Sequence, residues 1–210
     1  MEDITLSATD VLDLLDWKRR VFALYESIRA SEHPERGWQL WRETRAQLFR
    51  DHPQSPIPAQ QRSHHQDVAY YPYDPCLRVT ATVEHVTPEE CPLTASTSGT
   101  LPFSRVGVAR FTLEDTEHSL ELTWNAGYGG GLLVVFADAT SGTTTYGGGR
   151  YIVDTIKGAD LGFDRASRTM VLDFNFAYNP SCSYDPRHTC PLAPAANRLP
   201  VAITAGERIR

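Results

Sequence analysis

From Val68 onward the apolar residues recur with a period of two, and no pattern long enough for a helix interrupts them. Leu77, Val79, Ala81 and Val83 alternate with Arg78, Thr80, Thr82 and Glu84, and Leu120, Leu122 and Trp124 alternate with Glu121 and Thr123. Successive side chains on a strand point to opposite faces, so this alternation predicts strands buried on one side. Val106, Val108 and Phe111 begin another. The run Leu132 to Phe136 is apolar without a break, as a strand covered on both faces is. Thr143 to Tyr146, Tyr151 to Ile156, Met170 to Phe174 and Leu199 to Thr204 bring the candidates to about eight. Asp164 to Arg168 reads as the hairpin turn before Met170. Short strands separated by Gly, Pro, Asn and Asp predict a mainly β fold, an antiparallel β-barrel or sandwich.

The N-terminal part has a different period. Ser7 and Asp10 have the spacing of a capping box, and Val11, Leu14, Leu15, Val21, Phe22, Tyr25 and Ile28 follow mostly at steps of three and four. This predicts an amphipathic helix ending near Ala30, with Lys18, Arg19 and Glu26 on its polar side. His33-Pro34-Glu35-Arg36-Gly37 breaks it, and a second helix is predicted from Gly37 to Phe49 with Trp38, Trp41, Arg45, Leu48 and Phe49 along one side. The stretch Asp51 to Gln66 is rich in Pro, Gln and Ser and reads as a surface connector. Its His52, His64 and His65 are expected to be solvated loop histidines, not metal ligands. Three parts result: an N-terminal α-helical pair over 1–50, a connector over 51–67 and an antiparallel β-domain over 68–210.

Charge narrows the function. Lys plus Arg total 20 against 26 for Asp plus Glu, a formal charge of −6, which disfavours nucleic acid and anionic membranes as partners. The longest apolar runs, such as Gly131 to Ala137, are far too short to span a bilayer. The opening residues carry acids where a secretory signal has basic residues, so a cytoplasmic location is expected. Four cysteines are too few for a disulfide scaffold, and Cys76 and Cys91 read as isolated packing or surface thiols.

Two segments carry more specificity than a generic β-domain requires. In Phe136 to Tyr151, three consecutive glycines precede Arg150, so a bulge or a close approach to the backbone is expected there. Arg150 either grips an anion, helped by the glycine N–H groups, or pairs internally with Asp138 or Asp154. In Asp173 to Pro200, five prolines prevent sheet pairing, and the loop gathers Cys182, His188 and Cys190 with several asparagines. These three could hold zinc with Asp185 as a fourth donor, although Cys182 is too far from Cys190 for the usual paired spacing. A loop-closing disulfide, a nucleophilic thiol activated by His188 and plain buried thiols are the alternatives. The asparagines are expected mainly to cap turns.

Asp138-Ala139-Thr140-Ser141-Gly142, Thr145-Tyr146-Gly147-Gly148-Gly149-Arg150-Tyr151, Leu172-Asp173-Phe174-Asn175, Ala177-Tyr178-Asn179-Pro180, Thr189-Cys190-Pro191-Leu192 and Asn197-Arg198-Leu199-Pro200 occur together with Cys182. The combination resembles the bacterial family of domain of unknown function 1684, and His52-Pro53-Gln54-Ser55-Pro56 resembles its N-terminal signature. The resemblance implies that the paired cysteines, Arg150 and the Asn-Pro turn share a site or scaffold, and it brings no reaction with it. Ala196 stands where the family pattern has Glu, which weakens any mechanism needing a carboxylate there.

The function expected from these residues is binding of a small polar or anionic molecule in a barrel-mouth pocket. Arg150 is its anion anchor and Tyr146, Asn175, Tyr178 and Asn179 supply hydrogen bonds, with Asp138, Gly148, Gly149, Asn197 and Arg198 in the same site. One alternative is a hydrolase using Cys182, His188 and Cys190, with zinc as its possible cofactor. Another is an interaction module offering Trp38 and Trp41 to a partner. Oligomeric state is not fixed by the sequence.

Overall fold

The computed structural model describes residues 7–63 and 68–209. Helix α1 spans Ala8–Arg29 and α2 spans Pro34–Asp51, with a short α3 at Ala59–Arg62. The capping box forms as its spacing predicts: Ser7 Oγ accepts from the Asp10 amide at 3.1 Å, and Asp10 Oδ2 accepts from the Ser7 amide at 3.0 Å. Helix α2 begins before Gly37, because Pro34 at the first turn needs no amide partner and its φ is already helical. Gly37 serves helix packing instead of a turn, since a Cβ there would lie 3.2 Å from Ile28 Cγ2.

The strands are β1 Arg78–Glu90, β2 Leu93–Thr94, β3 Thr100–Leu101, β4 Ser104–Leu113, β5 Thr116–Asn125, β6 Gly131–Phe136, β7 Arg150–Asp154, β8 Phe163–Asp164 and β9 Thr169–Asp173. Seven form one antiparallel sheet in the order β7-β6-β5-β4-β1-β9-β8, curled into a half-barrel. Register shifts bend it between His85 and Glu89, Arg105 and Gly107, and Val134 and Val135. Pro88 lies within the first of these, where its missing amide breaks no ladder bond. The predicted turn at Asp164 to Arg168 forms the β8–β9 hairpin, with Asp164 Oδ1 accepting from the Ala166 and Ser167 amides.

Strand β6 is covered on both faces. Val134 and Phe136 join Phe111, Leu120, Leu172 and Phe174 in a core inside the curl. Leu133 and Val135 join Tyr25, Trp38, Trp41 and Phe176 in a second core beneath the helices. Trp38 and Trp41 therefore face inward. Their ring N–H groups donate to the Asn175 carbonyl and to the Tyr25 hydroxyl, so neither is offered to a partner.

Two predicted strands do not form. The amides of Thr143, Thr144 and Thr145 all turn back to the Thr140 carbonyl, which closes a local turn. In Leu199 to Thr204 the partners change from residue to residue: the Leu199 amide donates to the Ala137 carbonyl, but the Ile203 amide donates to the Asp138 carboxylate at 2.7 Å. No ladder can propagate through such a sequence of acceptors. Helix α1 also departs from expectation, leaving Val11 52%, Leu15 42% and Phe22 47% exposed: Leu24, Tyr25 and Ile28 are buried, with Val21 partly packed against the same core.

Candidate functional site

The glycine-rich segment and the Cys/Pro-rich loop do meet. A Cβ on Gly148 would fall 2.6 Å from the Tyr146 ring and 2.8 Å from Leu192, and Gly149, with φ +95°, has no room for one beside the Phe136 carbonyl at 2.6 Å. Bare backbone lets the Ala193 amide reach the Gly148 carbonyl at 3.0 Å, and Tyr146 Oη then lies 3.6 Å from Cys182 Sγ.

Arg150 points away from this contact. It has no solvent exposure, and both terminal nitrogens are taken by protein acceptors, the Ala205 carbonyl, the Ile203 carbonyl at 2.9 Å, the Glu207 carbonyl at 3.3 Å and Asp138 Oδ1 at 3.3 Å, while Nε has no partner among the described residues. The internal pair with Asp138 is the arrangement present, and Arg150 ties the C-terminal segment to β7. Asn175 and Asn197 are likewise engaged as structure. Asn175 exchanges hydrogen bonds with the Asp74 main chain and donates to Asp173, while Asn197 bonds both main-chain groups of Glu121 and the Val135 carbonyl. Arg198 is exposed on the surface.

Cys182, His188 and Cys190 do not converge. The Cys182 amide contacts Cys190 Sγ at 3.4 Å, but no hydrogen bond links the His188 ring to either sulfur among the described residues. Asp185, the suggested fourth zinc donor, is bound by Arg187 at 2.9 and 2.6 Å, which holds its carboxyl down at about 2. Among the described residues no group of three or more His, Cys, Asp or Glu side chains is placed to hold a metal ion. His52 is buried, not solvated: its Nε2 pairs with Asp16 at 3.1 Å and its Nδ1 accepts from the Gln54 amide. His64 and His65 lie outside the described residues.

Two of the concave sites among the described residues bear on ligand binding. The trough of the half-barrel, about 550 Å³, has a mainly apolar wall that includes Val106, Leu122, Trp124, Leu132, Val153 and Met170, and the charged side chains on it, Asp160, Asp164, Arg165 and Arg168, are of both signs. Cations without carboxylates line a cleft of about 290 Å³ between the helices and the Asn179–His188 part of the loop. Helix α1 contributes Trp17, Lys18 and Tyr25, α2 contributes Arg45 and Phe49, and Lys157 enters from the turn after β7. Tyr178, Asn179, Tyr184 and His188 complete the wall, which contains no carboxylate.

The carboxylates lie behind this wall. Glu207 has no exposure and accepts from Arg45, from Tyr184 Oη at 2.9 Å and from the Asn179 amide at 2.6 Å. Burial works most strongly against the Arg45 cation, but Glu207 together with Tyr70, Tyr184 and Tyr25 outweighs it and raises the Arg45 pKa. Asp154 takes Lys157 at 3.1 Å and Tyr178 Oη at 3.4 Å. Lys18 has no ion pair or hydrogen bond among the described residues. Burial pushes the Tyr25, Tyr178 and Tyr184 phenols up, so all three stay protonated near neutrality. Tyr25 Oη accepts from Trp41, and among the described residues its own proton has no acceptor and the buried Asn179 Oδ1 has no donor. Of the residues expected at a ligand site, Tyr178 and Asn179 belong to this cleft. Lys18, Arg45, Lys157 and Tyr184 were missed, and the available signal was an arginine on the apolar side of α2.

A curled antiparallel sheet, a two-helix cover and a cleft between that cover and an irregular C-terminal loop define a small β-rich domain with a helix-bordered pocket. The family model described as protein of unknown function (DUF1684) matches residues 63–208, and the chain belongs to that family. It is similar to the solution NMR structure of an uncharacterized protein of Haloarcula marismortui, with 37% identity over 83% of this chain and 94% of that one and a TM-score of 0.60. No curated protein matches.

Proposed function

We propose that the protein binds a small anionic molecule, a carboxylate or phosphate on an apolar or aromatic body, in the cleft between α1, α2 and the C-terminal loop. The observation that carries this is the lining: three cations and an imidazole with no carboxylate, in a chain whose net charge is −6. Lys18 supplies the uncompensated charge. Trp17 and Phe49 supply a face for the body, and the Tyr25 hydroxyl and Asn179 Oδ1 offer one free donor and one free acceptor. Anion anchoring thus passes from Arg150 to Lys18 and Lys157.

A thermal-shift series of carboxylates and phosphates tests it. A ligand at a hundred times its dissociation constant stabilises by about 2.7 kcal/mol, a rise on the order of 5–10 °C at this chain length. Lys18→Ala removes a charge-assisted bond and is expected to weaken binding by about tenfold or more, with Lys157→Ala acting in the same direction. The idea fails if no such anion raises the melting point, or if both lysine variants keep the full shift. Stabilisation by uncharged apolar compounds alone would move the ligand to the trough and also sink it.

A further inference from the structure

The cleft leaves Cys182 and Cys190 unused, although the loop brings them together. Cys182 sits in the short turn Ser181–Ser183 and is partly exposed, while Cys190 is buried. Ser96 clamps Cys190 from both sides: its hydroxyl accepts from the Cys190 amide at 3.0 Å and its amide donates to the Cys190 carbonyl at 2.9 Å. The buried sulfur is thereby held 3.4 Å from the Cys182 amide, on the residue that carries the outer thiol. An accessible thiol backed by a fixed, sheltered one within reach is the arrangement that thiol–disulfide exchange requires.

We propose that Cys182 and Cys190 form a dithiol that exchanges with low-molecular-weight disulfides, Cys182 attacking and Cys190 resolving. The Cys182 thiolate bonds to one sulfur of the small disulfide, whose other sulfur leaves as a thiolate and takes up the proton that Cys182 has given to solvent. Cys190 then loses its proton and bonds to Cys182 Sγ, displacing the second small thiol, which takes that proton. The protein dithiol is oxidised to a disulfide and the small disulfide is reduced to two thiols. The step needs nothing from the cleft.

The surroundings favour the thiolate on the outer cysteine. The Cys190 hydrogen bond, opposed by burial and aided by Ser96 and Tyr146, brings Cys182 down to about 6, and the same contact with burial pushes Cys190 up. The other titratable groups facing the pair are Tyr146, Tyr151 and Lys157. Alkylation of Cys182 should therefore rise with pH around 6 and level off above it, whereas exposed Cys76 should keep accelerating toward the ordinary thiol range.

The test treats the full chain with mixtures of reduced and oxidised glutathione and reads intact mass and differential alkylation. Wild type should lose two hydrogens, with Cys182 and Cys190 protected and Cys76 and Cys91 alkylated. Cys190→Ser should stop at one glutathione on Cys182, and Cys182→Ser should take none at Cys190. Melting curves check that both variants fold; if either does not, the pH profile of wild-type Cys182 against Cys76 decides. Protection of neither cysteine, a Cys190→Ser protein without the adduct, or equal pH profiles for Cys182 and Cys76 would each overturn the proposal.

Discussion

Arg150 carries a full charge at a position with no solvent exposure, and the folded chain supplies three carbonyls and one carboxylate to meet it. Burial lowers its pKa and Asp138 opposes that shift. Removing one partner of such a pair leaves the other charged and unmet, which costs about 3–5 kcal/mol. Arg150→Ala is expected to lower the melting temperature by roughly 10 °C or more at this chain length, read by calorimetry. Arg150→Lys should recover little, because one ammonium cannot address acceptors spread over Ile203, Ala205, Glu207 and Asp138. A variant as stable as wild type would show that the C-terminal segment is held by something else. An arginine after three glycines announces that the backbone is open there, but not whether a ligand or the chain's own C-terminus fills the opening.

At the scale of elements, Asn197 does what a strand would do. The β5–β6 ladder pairs Thr123 with Leu133, Trp124 with Leu132 and Asn125 with Gly131, and goes no further. Where the strands part, the Asn197 amide accepts from the Glu121 amide at 2.6 Å and donates to the carbonyls of Glu121 at 3.1 Å and Val135 at 2.9 Å. It is 1% exposed, so its loss strands main-chain groups away from water. Asn197→Ala should cost about 3 kcal/mol or more, at 1–3 kcal/mol for each of the three unmet groups, measured as a lower urea midpoint. A midpoint unchanged from wild type would mean that water replaces the side chain. The capping box, the β8–β9 turn and the doubly covered β6 were legible because each is set by residues a few positions apart. The strand predicted at Thr143 to Tyr146 failed because a threonine run satisfies a strand's preference while the Thr140 carbonyl captures its amides.

Across the whole molecule, the division into a helical pair and a β-domain describes the sequence better than the core. Trp41 is fully buried against Tyr70 and Phe176, and Arg45 of α2 neutralises Glu207 near the C-terminus. A chain starting at residue 68 would expose Leu133, Val135 and Phe176 and leave Glu207 without its cation. It is expected to bind hydrophobic dyes and to melt without cooperativity, and a sharp melt for 68–210 alone would establish an independent domain. The sequence by itself determined the antiparallel β architecture, the two helices and the family, because periodicity, capping and turn chemistry act over a few residues. Only the tertiary structure decided that Arg150 faces the C-terminus, that Arg45 meets Glu207 across 162 positions and that cations collect in a cleft beside α1. Burial of a charge depends on which distant segment arrives to meet it, and no local pattern encodes that arrival.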